Sequence, residues 1–189
     1  MEFWHVIEGR HSTRDYAQRA VSREKLTRIL HAAAAAPSAM NSQPWRYHVA
    51  EGESRIEVGK LLAQATVHLS EYMDVLGPDH YEAAVEWYSS LGNAPVVIGV
   101  SAPRSDTEFE MTNTLLSVGA SIENLLLAAM ADGLGACNIT FAWWVRDDLR
   151  ARFGVDEDRE IVAILAIGYV GSQAPAAPAH REDVADWVG

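Results

Sequence analysis

The chain has 189 residues, 49% of them hydrophobic, and a formal net charge of −11. That length suits one domain, and that apolar share supplies a globular core and excludes wholesale disorder. The acidic balance argues against nucleic acid or an anionic membrane surface as a partner.

The N-terminus, Met1-Glu2-Phe3-Trp4-His5, has neither a basic n-region nor an apolar h-region, so no signal peptide is expected. Residues 2–8 read as a short helix ending at Gly9, and a polar basic loop follows at 10–16. Ser22 is a good N-cap, with Val21 and Leu26 spaced as a hydrophobic staple. Leu26, Ile29, Leu30 and Ala33 then recur at helical spacing until Pro37 forbids a further turn.

Arg46 to Ala50 and Arg55 to Val58 alternate around Glu51-Gly52, which predicts strand–turn–strand. Residues 60–72 and 79–91 read as helices broken at Gly77-Pro78. Pro95 to Val100 predicts a buried strand, and 101–110 a polar loop. Thr112 to Ala131 predicts the longest helix, buried on several sides, with Gly133 beyond its end.

Its apolar part, Leu115 to Ala131, is interrupted by Ser117, Ser121, Glu123 and Asn124. No stretch therefore reaches the ~20 apolar residues of a bilayer span, and a soluble, cytoplasmic protein is expected. A strand near 137–141, a helix at 145–153 and an apolar strand at 161–169 follow.

The sum is one α+β domain over 1–171, with a mixed central sheet surrounded by helices. Residues 172–189 read as an extended tail. Its start, Ser172-Gln173-Ala174-Pro175-Ala176-Ala177-Pro178, cannot be a helix interior, while Val184, Trp187 and Val188 need cover. A partner subunit would supply that cover.

The single cysteine, Cys137, can form no internal disulfide. The seven histidines lack metal-ligand spacing, so no metal site is expected. Gly133-Leu134-Gly135 lacks the third glycine and the preceding strand of a dinucleotide fingerprint.

Charge is unevenly distributed. Residues 1–50 carry +3 and residues 51–189 carry −14. A basic island suits a small anionic ligand, and it also fits a solvated helix.

Two segments carry chemistry. In Arg10-His11-Ser12-Thr13-Arg14, two guanidinium forks and hydroxyls lie within five residues, a set that can surround a phosphate. In Pro37-Ser38-Ala39-Met40-Asn41-Ser42-Gln43-Pro44-Trp45, the amides of Asn41 and Gln43 both donate and accept. The uracil-like edge of an isoalloxazine ring requires that. Taken alone, the first also reads as a solvated loop and the second as an ordinary turn.

Together, in order, these segments resemble the nitroreductase family of FMN-dependent oxidoreductases. Ala94-Pro95-Val96-Val97-Ile98, Glu123-Asn124-Leu125-Leu126-Leu127-Ala128-Ala129, Gly133-Leu134-Gly135 and Ile167-Gly168-Tyr169 extend the resemblance along nearly the whole chain. It implies a homodimer with shared active sites, FMN as cofactor, and NADH or NADPH as co-substrate.

By resemblance, Arg10, His11, Ser12 and Arg14 hold the FMN of their own subunit. Pro37, Ser38, Ala39, Asn41 and Gln43 meet the flavin belonging mainly to the partner. Asn138, Ile139 and Thr140 lie by the ring, with a backbone N–H near its reactive nitrogen, and Arg181 adds to the phosphate site. The helices from about 60 to 92 and the 101–110 loop border the pocket.

Ile139-Thr140-Phe141-Ala142 stands where the family has a glycine-rich loop. Phe141, Trp143 and Trp144 thus read either as pocket walls or as core aromatics. The resemblance implies hydride transfer from NAD(P)H to a small acceptor such as a nitroaromatic, quinone or enone, by a substituted-enzyme mechanism, with no catalytic side chain singled out. A flavin-fragmenting, benzimidazole-forming enzyme and a non-catalytic flavin-binding protein are the alternatives.

Overall fold

The computed structural model describes residues 2–68, 78–172, 181 and 183–188. The end of the first of the two expected helices, within 69–77, and most of the expected tail, at 173–180, 182 and 189, lie outside the described residues.

Helix α1 (Phe3–Gly9) is followed by α2 (Arg23–Ala34), capped by Ser22, whose side chain accepts from the Lys25 amide. The staple residues Val21 and Leu26 are both buried. Strand β1 (Arg46–Glu51) leads directly into α3 (Glu53–Ala65). Next come α4 (Pro78–Ser90), β2 (Val96–Pro103), α5 (Glu108–Ala131), β3 (Gly135–Ile139), α6 (Arg146–Phe153) and β4 (Arg159–Gly168).

The expected second strand at Arg55 to Val58 is instead the first turns of α3. Gly52, at φ 56°, turns the chain out of β1. Val58, Leu62 and Ala65 then bury a stripe at helical spacing, which overrides the short alternation.

The strands run in the order β1-β2-β4-β3, and all three pairings are antiparallel. The sequence reading expected a mixed sheet. Among the described residues the parallel contact is confined to the isolated bridge between Ser12 and Ala136.

The sheet is packed on both faces. Val96, Ile98 and Val100 of β2 join Leu165 and Ile167 of β4 under α2 and α5. Val97, Ile164 and Ala166 face α3 and α6 on the other side. Burying such a side chain stabilises the fold by about 1.5–3 kcal/mol.

The register shifts between Val100 and Ser101, so that Ser101 pairs with Ile161 and Val162 is the extra residue. Ile161 thereby changes face relative to Ala163. A bulge re-aims side chains in this way.

Helix α5 starts four residues earlier than expected, capped by Thr107, whose side chain accepts from the Glu110 amide. The expected 101–110 loop shrinks accordingly, because β2 continues to Pro103. With 24 residues and a hydropathy of 1.5, α5 is long and apolar enough to cross a membrane, a length the sequence reading did not allow for. Here it packs as the central helix, with Val118, Ile122, Leu125 and Ala129 in the core.

Candidate active site

The first motif is stitched to the sheet edge. Ser12 bridges to Ala136 in β3, and the Thr13 amide donates to Ala136 O at 3.0 Å. The buried Tyr16 hydroxyl lies 2.7 Å from Thr13 O and 2.9 Å from Ala166 O. Burial raises its pKa, so it remains a neutral donor.

From the other side, the Tyr16 amide donates to Gly92 O at 3.0 Å. Gly92 sits at φ +61°, and a Cβ there would lie 2.0 Å from Arg14 O. Only glycine permits so close an approach.

Of the motif's side chains, Thr13 is buried and Arg10, His11 and Ser12 are half-buried. Arg10 forms an ion pair with Glu123, Nε to Oε1 at 2.9 Å. His11 shares a hydrogen bond between Nδ1 and Gly9 O at 2.8 Å, while its buried Nε2 has no partner among the described residues. The Arg14 side chain is exposed.

Arg14 opens onto a cavity of about 680 Å³, a volume within the range of small-molecule sites. Cys137, Asn138, Ile139, Thr140 and Phe141 line one side, and His80, Ala83, Ala84, Trp87 and Tyr88 of α4 the other. Tyr88 stacks on Phe141 with centroids 5.2 Å apart, and Trp87 meets Tyr88 edge-on at 5.1 Å. The wall is thus aromatic and suited to planar rings. Burial raises the Cys137 thiol pKa, so it presents a neutral thiol rather than a nucleophile.

The structure therefore brings Arg14 together with Asn138, Ile139 and Thr140, whereas Arg10 and His11 line a separate small cavity with Thr13 and Ala136, and Ser12 lines neither. Phe141 is a pocket wall. Trp143 lies instead under the Arg146 guanidinium at 3.7 Å, and Trp144 stacks on His68 at 4.0 Å. Of the regions expected to border the pocket, α4 does so, while no residue of α3 and none of the 101–110 segment lines it. Individual α4 residues were not foreseen, although the adjacent pair Trp87-Tyr88 in a polar helix was a usable signal.

The second motif lies elsewhere in the chain: no residue from Pro37 to Gln43 lines this cavity. Its centre is a 3-10 turn, Ala39–Asn41, with Met40 fully exposed. Met40, Asn41 and Gln43 have φ of 51°, 54° and 45°. A non-glycine residue there costs about 1–3 kcal/mol, which the surroundings must offset.

The Ser38 hydroxyl accepts from the Gln43 amide at 3.0 Å, and Gln43 Nε2 donates to Asn41 Oδ1 at 3.2 Å. The Ala39 amide donates to Ser117 Oγ of α5 at 3.2 Å. Arg181 lies apart from the cavity, exposed and paired with Asp183 at 3.3 Å.

A sheet edge carrying a basic loop beside an aromatic cavity is an arrangement for an anionic, ring-bearing ligand. Residues 7–169 match the model of the Nitroreductase family, and the chain belongs to that family. The nitrobenzene nitroreductase of Ectopseudomonas oleovorans is 27% identical, over 90% of this chain and 87% of that protein.

Two solved structures share the fold over nearly all of both chains. The FMN and NADPH-dependent nitroreductase NfnB from sphigopyxis sp. strain HMH is 22% identical, with a TM-score of 0.80 over 100% of each chain. The FMN-dependent NfnB from Mycobacterium smegmatis, solved in complex with NADPH, is 22% identical, with a TM-score of 0.79 over 98% of this chain and 97% of that one.

Proposed function

We propose that this protein is an FMN-dependent oxidoreductase that takes hydride from NADH or NADPH and delivers it to a small acceptor such as a nitroaromatic, quinone or enone. The observation that carries this reading is the cavity lined together by Arg14, the segment Asn138–Thr140 and the aromatic Trp87, Tyr88 and Phe141. Family membership and the dependence of the two NfnB relatives on FMN support it.

The residues present fit the cofactor. Arg14 offers guanidinium donors to a phosphate at the cavity, while Arg10 and His11, whose buried Nε2 lacks a partner among the described residues, line a separate small cavity beside the same loop. Bound there, FMN would supply the hydride acceptance and donation that protein side chains cannot. Ile139 and Thr140 would offer backbone donors beside the ring, and Tyr88 and Phe141 would exclude water from one side. Arg181 would reach the phosphate only by leaving Asp183.

The working unit is a cytoplasmic homodimer with shared sites, in which Pro37, Ser38, Ala39, Asn41 and Gln43 meet the cofactor held mainly by the partner. Exposed apolar side chains support an interface: Phe109 is 77% exposed, Leu116 69% and Trp187 95%. Residues 172–189 act as a tail packed on the partner, while 1–171 form the cofactor-binding domain.

The test is the purified protein. It should be yellow, release one FMN per chain on denaturation, and oxidise NADH or NADPH when given a quinone or nitroaromatic. A colourless protein that takes up no flavin on incubation with FMN overturns the proposal.

A further inference from the structure

Three residues of the second motif hold left-handed backbone without being glycine, so the loop needs anchors outside its own span. Ser117 supplies one near its start. The other is Arg159, the first residue of β4, whose Nη2 donates to Pro44 O at 2.7 Å.

Arg159 reaches Pro44 across an intervening strand. Pro44 leads into β1, and β2 lies between β1 and β4. On the way, the same Nη2 donates to Ser101 O at 2.8 Å, and Nε donates to Ser101 Oγ at 3.1 Å. Ser101 is fully buried, and its hydroxyl also lies 3.0 Å from His48 Nε2. The Ser101 hydroxyl thus accepts from Arg159 and shares a further hydrogen bond with His48.

The guanidinium presents these donors from two nitrogens held in one plane, a spacing that the single nitrogen of a lysine ammonium lacks. The two Ser101 bonds fix the guanidinium within the sheet, and the third bond leaves the sheet for the loop. Pro44 is itself buried, so its carbonyl has no ready substitute in water.

We propose that Arg159 is a positioning residue for the shared site: through Pro44 it holds the loop Pro37–Trp45 in the conformation that meets the partner's cofactor. This rests on the functional reading above for the cofactor, while the clamp itself rests on the bonds just described.

The test compares wild type, Arg159→Met and Arg159→Lys as full-length purified proteins. Amide hydrogen exchange is followed by mass spectrometry, and FMN affinity by fluorescence titration. In Arg159→Met, exchange over residues 39–45 should rise about tenfold while β2 and β4 stay protected, and FMN affinity should fall about tenfold. Arg159→Lys should fall between the two in both readouts, and it carries the comparison alone if Arg159→Met does not fold.

Unchanged exchange at 39–45 overturns the proposal. So does a rise shared equally by β2 and β4, which marks a general loss of stability. Faster loop exchange with unchanged FMN affinity also overturns it, because the loop then has no part in holding the cofactor. Failure of the wild type to bind FMN at all is the distinct result that would sink the functional reading.

Discussion

The indole Nε1 of Trp87 donates to the carbonyl oxygen of Arg14 at 2.8 Å. This bond ties α4, the cavity wall, to the basic loop. Trp87→Phe keeps a ring and removes the donor, so Arg14 should lose part of its placement. FMN affinity should fall by about 0.5–1.5 kcal/mol, the net worth of such a bond. A titration showing equal affinity would mean that the bond does not position the loop.

Arg10 and Arg14 are expected to hold the phosphate of the cofactor. Each alanine substitution should weaken FMN binding by about 1.5–3 kcal/mol, the range for a hydrogen bond to a charged group. Lysine should restore only part, because it lacks the fork. If both alanine variants bind FMN like wild type, the phosphate lies elsewhere.

His48 makes the fold sensitive to acid. Its pKa lies below the ordinary 6.5, first because of burial and then because of Arg159 and Arg46, with Asp156 opposing. Below pH 6.5 the unfolded chain therefore binds a proton that the folded chain resists. The contribution to stability is complete above that pH and is lost as pH falls through the lower folded value. His48→Gln keeps an acceptor for Ser101 and removes the titration. Its melting temperature should fall less steeply than that of wild type as pH is lowered below 6.5. Identical slopes would assign the acid sensitivity to other groups.

Leu116 is 69% exposed on α5. On a monomer, Leu116→Glu would be a surface change worth within about 0.5 kcal/mol. At a subunit interface it buries an unpaired charge and should shift the protein toward monomers in sedimentation at micromolar concentration. A wild type that already sediments as a monomer would remove the shared-site model.

Both substrates are expected to use one cavity, so they cannot be bound together. Initial-rate plots at several fixed acceptor concentrations should be parallel, and each substrate should inhibit against the other at high concentration. Intersecting lines would indicate a ternary complex and exclude a single site.

Much of this was legible because it is local. Ser22, Val21 and Leu26 specify the start of α2 within six residues, and the run from Pro95 to Val100 can hardly be anything but a buried strand. Arg55 to Val58 misled because four residues cannot separate a period of 2 from one of 3.6; the deciding contacts, at Leu62 and Ala65, lie further on. The order β1-β2-β4-β3 had no local signal, since it depends on which distant strands pair. The motif order drew Arg14 and Asn138–Thr140 into one proposed site, and the cavity joins them. Arg159 carried no signal, because a lone arginine at the head of an apolar strand looks like any solvated end.

The basic loop is sewn into the sheet through Ser12, Thr13 and Tyr16, and this makes ligand and fold thermodynamically inseparable. Residues 10–16 have no binding geometry of their own, so a ligand seated there recognises the folded chain and ignores the unfolded one. At a hundred times its dissociation constant such a ligand adds about 2.7 kcal/mol to stability. Cellular cofactor supply would then set how much of this protein survives proteolysis, and flavin starvation would deplete the polypeptide as well as its activity.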